Sequence, residues 1–269
     1  MFTEKQQEQI LDLMRDCGRL MLTAHGMSTV DAEVHFKPGA GNFVTDYDLA
    51  VQTKLIEGLS VIVPGARFFA EEKENSPALL KDAYCFIIDP IDGTTNFMHD
   101  MKASVISVAL FYDERPVFGA VYDPYGGELF HAVAGKGAWC NGQPIRVSDR
   151  PMEEALVEFG SSPYDRQVLA KRSFAIAAAL FDKCVDIRRS GSAALDLCFI
   201  AAGRAEIFFE ARLSPWDYAA GLIIVNEAGG KLTTFSGEPV SLSAPSEVLC
   251  TSAALYQAVK CEIEAVLRQ

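Results

Sequence analysis

The sequence predicts a mixed fold of two packed halves, α+β up to about residue 150 and α/β over 151–269. Three patterns carry that prediction. Apolar residues recur at helical spacing in the N-terminal segment, strand-like runs with short polar turns fill residues 104–133, and strand and helix alternate from Glu153 onward. No internal repeat or low-complexity linker separates the halves, so they are expected to pack as one unit over residues 1–269.

In the first half, Ile10, Leu13, Met14, Cys17, Leu20, Met21 and Ala24 share one helical stripe, and Thr3 with Gln6 can close a capping box at its start. Residues 25–40 read as a loop or ragged hairpin. The run Lys37-Pro38-Gly39-Ala40-Gly41-Asn42 is either a glycine-rich approach to a phosphate or a surface loop. Thr45-Asp46-Tyr47-Asp48 then opens a second helix carrying Leu49, Leu55, Ile56 and Leu59. Thr45 can cap it, and both acids suit its positive end, although two are more than a cap requires. Residues 67–70 form a short strand ending in Glu71-Glu72, and residues 73–81 a polar connection. An apolar run over 85–88 leads into Asp89-Pro90-Ile91-Asp92-Gly93-Thr94-Thr95, read as a buried strand ending in a tight turn. Strands follow at 104–112, 116–122 and 129–133, with turns at Gly135-Lys136-Gly137 and Asn141-Gly142.

In the second half, strands are expected at 156–159, 184–187, 205–209, 231–235 and 248–251. Helices are expected at 167–181, 192–202, 216–228 and 253–267. The run Ser190-Gly191-Ser192-Ala193-Ala194 opens one helix with small residues, which suits an anion or sugar site and equally suits close packing. Pro215-Trp216-Asp217 opens another. Asp217 in its first turn gains about 0.3–1 kcal/mol from the dipole with no function at all.

Composition narrows the function classes. Apolar residues make up 49% of the 269 residues and charged residues 22%, an ordinary globular balance. The net charge of −12 argues against a nucleic-acid polymer or an anionic membrane surface as partner. A small phosphorylated ligand is still compatible, because bound cations reverse the local sign. The seven cysteines are scattered without zinc-type spacing and are expected to be reduced, mostly buried thiols. The charged, amphipathic N-terminus lacks a signal-peptide pattern, and no apolar run reaches the roughly 18 residues of a membrane span, so a cytoplasmic location is expected.

The chemistry concentrates at residues 89–95. Carboxylates hold hard cations, and a glycine lets backbone N–H groups close on an anion, so the turn suits a phosphate held against divalent metal. Glu71, Asp89, Asp92 and Asp217, with a turn carbonyl and a Thr hydroxyl, make a ligand set for several Mg²⁺ ions. Four acids packed together without metal would resist ionisation.

These pieces resemble the inositol monophosphatase family, the lithium-sensitive, Mg²⁺-dependent sugar phosphatases. The matching residues are Val44-Thr45-Asp46-Tyr47-Asp48, Ala70-Glu71-Glu72, Asp89-Pro90-Ile91-Asp92-Gly93-Thr94-Thr95-Asn96-Phe97, Gly191-Ser192-Ala193 and Trp216-Asp217. They stand in the family's order and spacing, so the resemblance covers nearly the whole chain. It implies a layered αβαβα sandwich, a homodimer, and two or three Mg²⁺ per active site. The implied substrate is a small phosphorylated polyol or sugar, inositol monophosphate before fructose bisphosphate, 3′-phosphoadenosine 5′-phosphate or histidinol phosphate.

By matching position, the resemblance implies Glu71, Asp89, the Ile91 carbonyl and Thr94 as ligands of a first metal. Asp89, Asp92 and Asp217 would hold a second, and Glu71 with water a looser third. The N–H groups of Gly93 and Thr94 are implied to bind phosphate, and Asp48 to support Thr94 in preparing the attacking water, with Glu71 as the other catalytic acid. Glu210 matches an acceptor for a substrate hydroxyl, and Gly191, Ser192 and Ala193 would line the sugar pocket. Asp46 falls at a more variable position. The implied reaction is in-line attack by a metal-activated water, with no covalent intermediate. Gln52, Ala70 and Pro215 depart from the family's usual residues without removing a ligand. Lys37, Arg188 and Arg189 are candidates for a second anionic group.

Two rivals stand beside this reading. A haloacid-dehalogenase-type phosphatase also has a strand, paired aspartates, Gly and Thr, but separates its aspartates by one residue, whereas Pro90 and Ile91 intervene here. A non-catalytic phosphate-binding or regulatory module would not need every expected ligand.

Overall fold

Helix α1 (Glu4–Thr23) forms where the apolar stripe places it. Thr3 and Gln6 close the capping box, and Ile10, Met14, Cys17 and Met21 are fully buried. A computed structural model describes residues 2–24, 34–36 and 43–268. Strands β1 (Val34–Phe36) and β2 (Phe43–Thr45) pair antiparallel; β1 lies within the stretch read as a loop or ragged hairpin, and β2 lies beyond it. Lys37 and the rest of the glycine-rich run to Asn42 lie outside the described residues. Helix α2 (Asp46–Ile62) starts from a Thr45–Asp48 capping box.

The first sheet has seven strands in sequence order. They are β3 (Arg67–Ala70), β4 (Tyr84–Asp92), β5 (Val105–Tyr112), β6 (Arg115–Asp123), β7 (Glu128–Val133), β8 (Gly137–Cys140) and β9 (Gln143–Ile145). Only β3 and β4 run parallel, with Ala70 opposite Ile88. That pairing brings Glu71 beside the mouth of β4. Two elements differ from the sequence reading. β8 and β9 follow the Gly135 and Asn141 turns as short strands, too brief to show a period, and a five-residue helix, α3 (Thr94–Met98), follows Gly93 where a bare turn was expected.

The second sheet is mixed. It contains β10 (Leu156–Phe159), β11 (Asp186–Arg188), β12 (Ile207–Leu213), β13 (Gly230–Thr233) and β14 (Ser246–Ser252), in the order β11-β10-β12-β14-β13. Helices α4 (Arg166–Phe181), α5 (Ala193–Ala201), α6 (Pro215–Glu227) and α7 (Tyr256–Leu267) connect or close it. β12 runs on to Leu213, past the expected end at 209, because the acidic and basic Glu210 and Arg212 interrupt the apolar run without breaking the strand. β11 begins at 186 rather than 184.

Alternation along the strands sorts the layers. Phe86, Ile88, Val108 and Leu110 pack against Ile10, Met14 and Leu55 of α1 and α2. The intervening Cys85, Ile87 and Ala109 turn to the other face, joining Leu197 of α5, Ile224 of α6, and Phe208 and Cys250 of the second sheet in one core. Ile207, Phe209 and Leu249 face outward again, onto Ile176, Leu180, Val259 and Ile263 of α4 and α7. The result is the expected αβαβα sandwich, with α5 and α6 as the shared middle layer. All seven cysteines are free; Cys17, Cys85, Cys140, Cys198 and Cys250 are buried, and Cys261 is exposed. No helix among the described residues is long and apolar enough to cross a membrane.

An ion pair between a buried acid and a half-exposed arginine ties the second sheet to its incoming chain. The Glu206 side chain is 0% exposed; it accepts from Arg150 Nε at 2.8 Å and from the Leu156 N–H at 2.6 Å. Glu206→Ala leaves the Leu156 N–H without that acceptor, whereas the half-exposed Arg150 keeps Ser148 and the Gly203 carbonyl, so the variant is expected to lower stability by about 1–3 kcal/mol in urea unfolding.

Candidate metal and phosphate site

Residues three apart point to opposite faces of a regular strand, so Asp89 and Asp92 would face away from each other. A bulge in β4 prevents this. Asp89 lies opposite Ser107 and Asp92 opposite Val105, so three steps on β4 are matched to two on β5. Both carboxylates therefore turn to the face covered by α5 and α6, while Ile91 packs in the core on the α1–α2 side. Asp217, in the first turn of α6, completes the group. One oxygen from each of Asp89, Asp92 and Asp217 lies within 4.8 Å of the others.

Each acid is held by donors on its flank. Asp92 Oδ2 accepts from Ser192 Oγ at 2.7 Å and from the Ala194 N–H at 2.7 Å, both at the start of α5. Asp217 Oδ2 accepts from the Ser214 N–H at 2.7 Å, closing a capping box. Asp89 Oδ1 accepts from the Ile91 N–H at 3.0 Å. Glu71 follows β3, its N–H on the Ile88 carbonyl at 3.2 Å, and its side chain lines the same cleft.

Asp48 is fully buried and does more than cap α2. Besides the Thr45 N–H at 2.7 Å, it accepts from Thr94 Oγ1 at 3.2 Å, and the same hydroxyl lies 3.2 Å from the Ile91 carbonyl. Asp46 is exposed on the first turn, away from the cleft. At Gly93, φ is +91°, and a Cβ there would lie 3.0 Å from the Ala103 carbonyl, so only glycine makes this turn without strain.

Electrostatics separates these acids from ordinary surface carboxylates. Burial pushes Asp89 well above its usual range, reinforced by the charges of Glu71, Asp92 and Asp217. Burial likewise raises Asp217, followed by the charges of Asp92 and Glu71. Asp92 rises to about 6 through burial, against the opposing pull of Ser192 and Ala194. Asp48 is pushed up to about 6 by burial, moderated by its bonds to Thr45. Packed, mutually repelling carboxylates of this kind are a donor set for hard divalent cations, which remove the repulsion and need oxygen ligands.

The acids stand in a cleft of about 500 Å³ that continues toward Gly191, Ala193 and Glu210. Ser192 also lines it, but its hydroxyl is committed to Asp92. Glu210 is buried on β12; burial raises it to about 7. Arg189 lines the cleft, whereas Arg188 pairs with Asp186 outside it. Sequence reasoning missed the partners that hold the site. Ser192 and Ala194 on Asp92 are examples, as is Asn96, whose amide joins the Ala103 and Ser190 carbonyls at 2.7 and 2.9 Å. Asn96 stands in the quoted motif, but nothing local signals a partner 94 residues away. Asp196 was also missed; it is buried at the cleft and raised well above normal by burial and then by Glu158.

The fold and this acid cluster suit a divalent metal held by oxygen ligands, and comparison with known proteins gives the family. A model of the inositol monophosphatase family matches residues 5–267, and the chain belongs to that family. The "Nus factor SuhB" of Escherichia coli K12 is 38% identical over 83% of this chain and 82% of its own length. The "Inositol-1-monophosphatase" of Synechocystis is 34% identical over 84% and 78% respectively. Among solved structures, the extragenic suppressor protein suhB from Bartonella henselae superposes with a TM-score of 0.88 at 29% identity, covering 96% of this chain and 98% of that one. Family membership supports phosphatase activity with dependence on divalent metal.

Proposed function

We propose that the chain hydrolyses a phosphate monoester of a small polyol or sugar, an inositol monophosphate first, using Mg²⁺ held by the acid cluster. The observation that carries this reading is the bulged end of β4, which sets Asp89 and Asp92 on one face against Asp217. In this reading Glu71, Asp89, the Ile91 carbonyl and Thr94 would hold one ion, Asp89, Asp92 and Asp217 would hold a second, and Glu71 would hold a third. Magnesium bound there would supply Lewis-acid chemistry, acidifying a water and offsetting charge at the phosphate and the leaving oxygen.

The chain's own residues orient the substrate and move the proton. Thr94 takes a proton from the attacking water as its own hydroxyl proton passes to Asp48, whose carboxyl near 6 suits an acceptor at neutral pH. Glu71 is the alternative acceptor at the cleft mouth. The Gly93 and Thr94 amides hold phosphate oxygens. Glu210, which lines the same cleft, accepts from a ring hydroxyl. The name of the Synechocystis relative supports this substrate class.

Ser192 reads as a positioning residue for Asp92. Ser192→Ala removes the 2.7 Å bond and the cap on α5, and is expected to weaken Mg²⁺ activation about 10- to 100-fold. A magnesium titration of phosphate release checks this.

The Escherichia coli relative's name, Nus factor, favours a second reading in which the chain serves as a regulatory module. Phosphate release separates the two. A panel of inositol monophosphates, fructose 1,6-bisphosphate and 3′-phosphoadenosine 5′-phosphate is assayed with Mg²⁺, with and without Li⁺. The phosphatase reading expects the inositol esters to lead and Li⁺ to inhibit. Release from none of them contradicts it.

A further inference from the structure

The turn between β10 and α4 is shaped around one side chain, Glu210 of β12. A Cβ built on Gly160 would fall inside the Glu210 carboxylate, so no larger residue fits while that carboxylate keeps its place. Two residues on, the Ser162 N–H donates to Glu210 Oε1 at 2.8 Å, and its hydroxyl lies 3.3 Å from the same oxygen. Ser162 is buried and sits at φ +45°, ψ +62°, a left-handed conformation that serine adopts rarely. Such backbone persists only where its surroundings hold it, and it gathers at ligand sites.

Here the surroundings are visible. The Gly160 N–H bonds to the Phe209 carbonyl at 3.0 Å, and Ser162 Oγ lies 3.4 Å from the Arg212 carbonyl. Arg212 pairs with Asp165 at 3.0 Å, and Arg189 Nε donates to Ser161 Oγ at 3.2 Å. The turn is thus fastened to β12 on both sides of Glu210.

We propose that Gly160 and Ser162 are positioning residues that lock the Glu210 carboxylate in one orientation toward the cleft and thereby set selectivity for polyol esters. This rests on the reading of Glu210 as the acceptor of a substrate hydroxyl. Gly160 provides the space into which Oε2 packs, and Ser162 holds Oε1, so both oxygens of the cleft-lining carboxylate are fixed in place. A turn that merely joins β10 to α4 requires neither the missing Cβ nor the left-handed serine.

The test compares kcat/KM for an inositol monophosphate with that for an aryl phosphate, which has no ring hydroxyl. It uses the full-length wild type, Gly160→Ala, Glu210→Ala, the double variant and Ser162→Gly, all with Mg²⁺. Gly160→Ala is expected to lower the polyol-to-aryl ratio about tenfold, as does Glu210→Ala. The double variant falls no further than Glu210→Ala, because the clash has gone. Ser162→Gly tolerates the backbone angle but frees the hydroxyl contact, and lowers the ratio about threefold through KM. Ratios within twofold of wild type in either turn variant, or additive losses in the double variant, overturn the proposal. A wild type that hydrolyses neither ester overturns the reading of the site instead. In that case a crystal structure of Gly160→Ala still decides: the Glu210 carboxylate leaves the Ser162 N–H, whereas a carboxylate seated there overturns the lock.

Discussion

Asp89→Asn reduces phosphate release about a thousandfold or more, and the metal-free variant melts at a higher temperature than metal-free wild type at pH 7.5. Asp89 is 2% exposed and stands among Glu71, Asp92 and Asp217, so its charge is opposed by burial and by its neighbours. The amide keeps the shape and keeps an oxygen for the Ile91 N–H, so the bulge survives. A carboxylate charge that would hold divalent metal is lost, together with several kcal/mol of transition-state stabilisation. Removing a buried charge without a cation partner relieves the apo fold at the same time. Phosphate assays and calorimetry on the same preparation check both halves. Near wild-type turnover, or a lower melting temperature in EDTA, contradicts the account.

Stripped of divalent metal, the wild-type chain loses stability as pH rises from about 4 to 8, and Mg²⁺ restores it at the alkaline end. Asp92 moves from 3.8 in the unfolded chain to about 6 in the fold, and Asp89 and Asp217 are raised well above that ordinary value. A raised carboxyl favours the protonated fold. Its contribution is therefore complete below the unfolded value and is lost as pH climbs through the folded one; for Asp92 it is on the order of 3 kcal/mol. The melting temperature in EDTA is expected to fall by roughly 5–10 °C between pH 5 and pH 8. Magnesium recovers most of this at pH 8 and little at pH 5, where the cluster is largely protonated. The slope is shallower in Asp89→Asn. A melting temperature that rises over this range in EDTA, or ignores Mg²⁺ at pH 8, contradicts the account.

The parts of the site that are contiguous in the chain were legible in the sequence. Asp89, Asp92, Gly93 and Thr94 fall in one run, and the apolar residues before them mark the strand. The helical stripe of α1 and its capping box read directly, because both depend on residues three or four apart. What could not be read is set by pairing. The bulge that turns Asp89 and Asp92 to one face exists only in the register of β4 against β5. The contacts of Ser162 on Glu210 and Ser192 on Asp92 join residues 48 and 100 positions apart. Asp48 shows the limit well. Its place in a capping box is a complete local explanation; its support of Thr94 is implied by the family resemblance alone, and the structure buries it against that hydroxyl. The extension of β12 to Leu213 was hidden for a related reason, since Glu210 and Arg212 interrupt the apolar pattern that marks the strand.

The most direct measurement is inorganic phosphate released from an inositol monophosphate as Mg²⁺ is titrated into metal-free wild type and Asp89→Asn. The account predicts no release in EDTA, a saturable rise with Mg²⁺ in the wild type, and almost none at any Mg²⁺ concentration in the variant. Release that persists undiminished in EDTA, or that rises equally in both proteins, would contradict it.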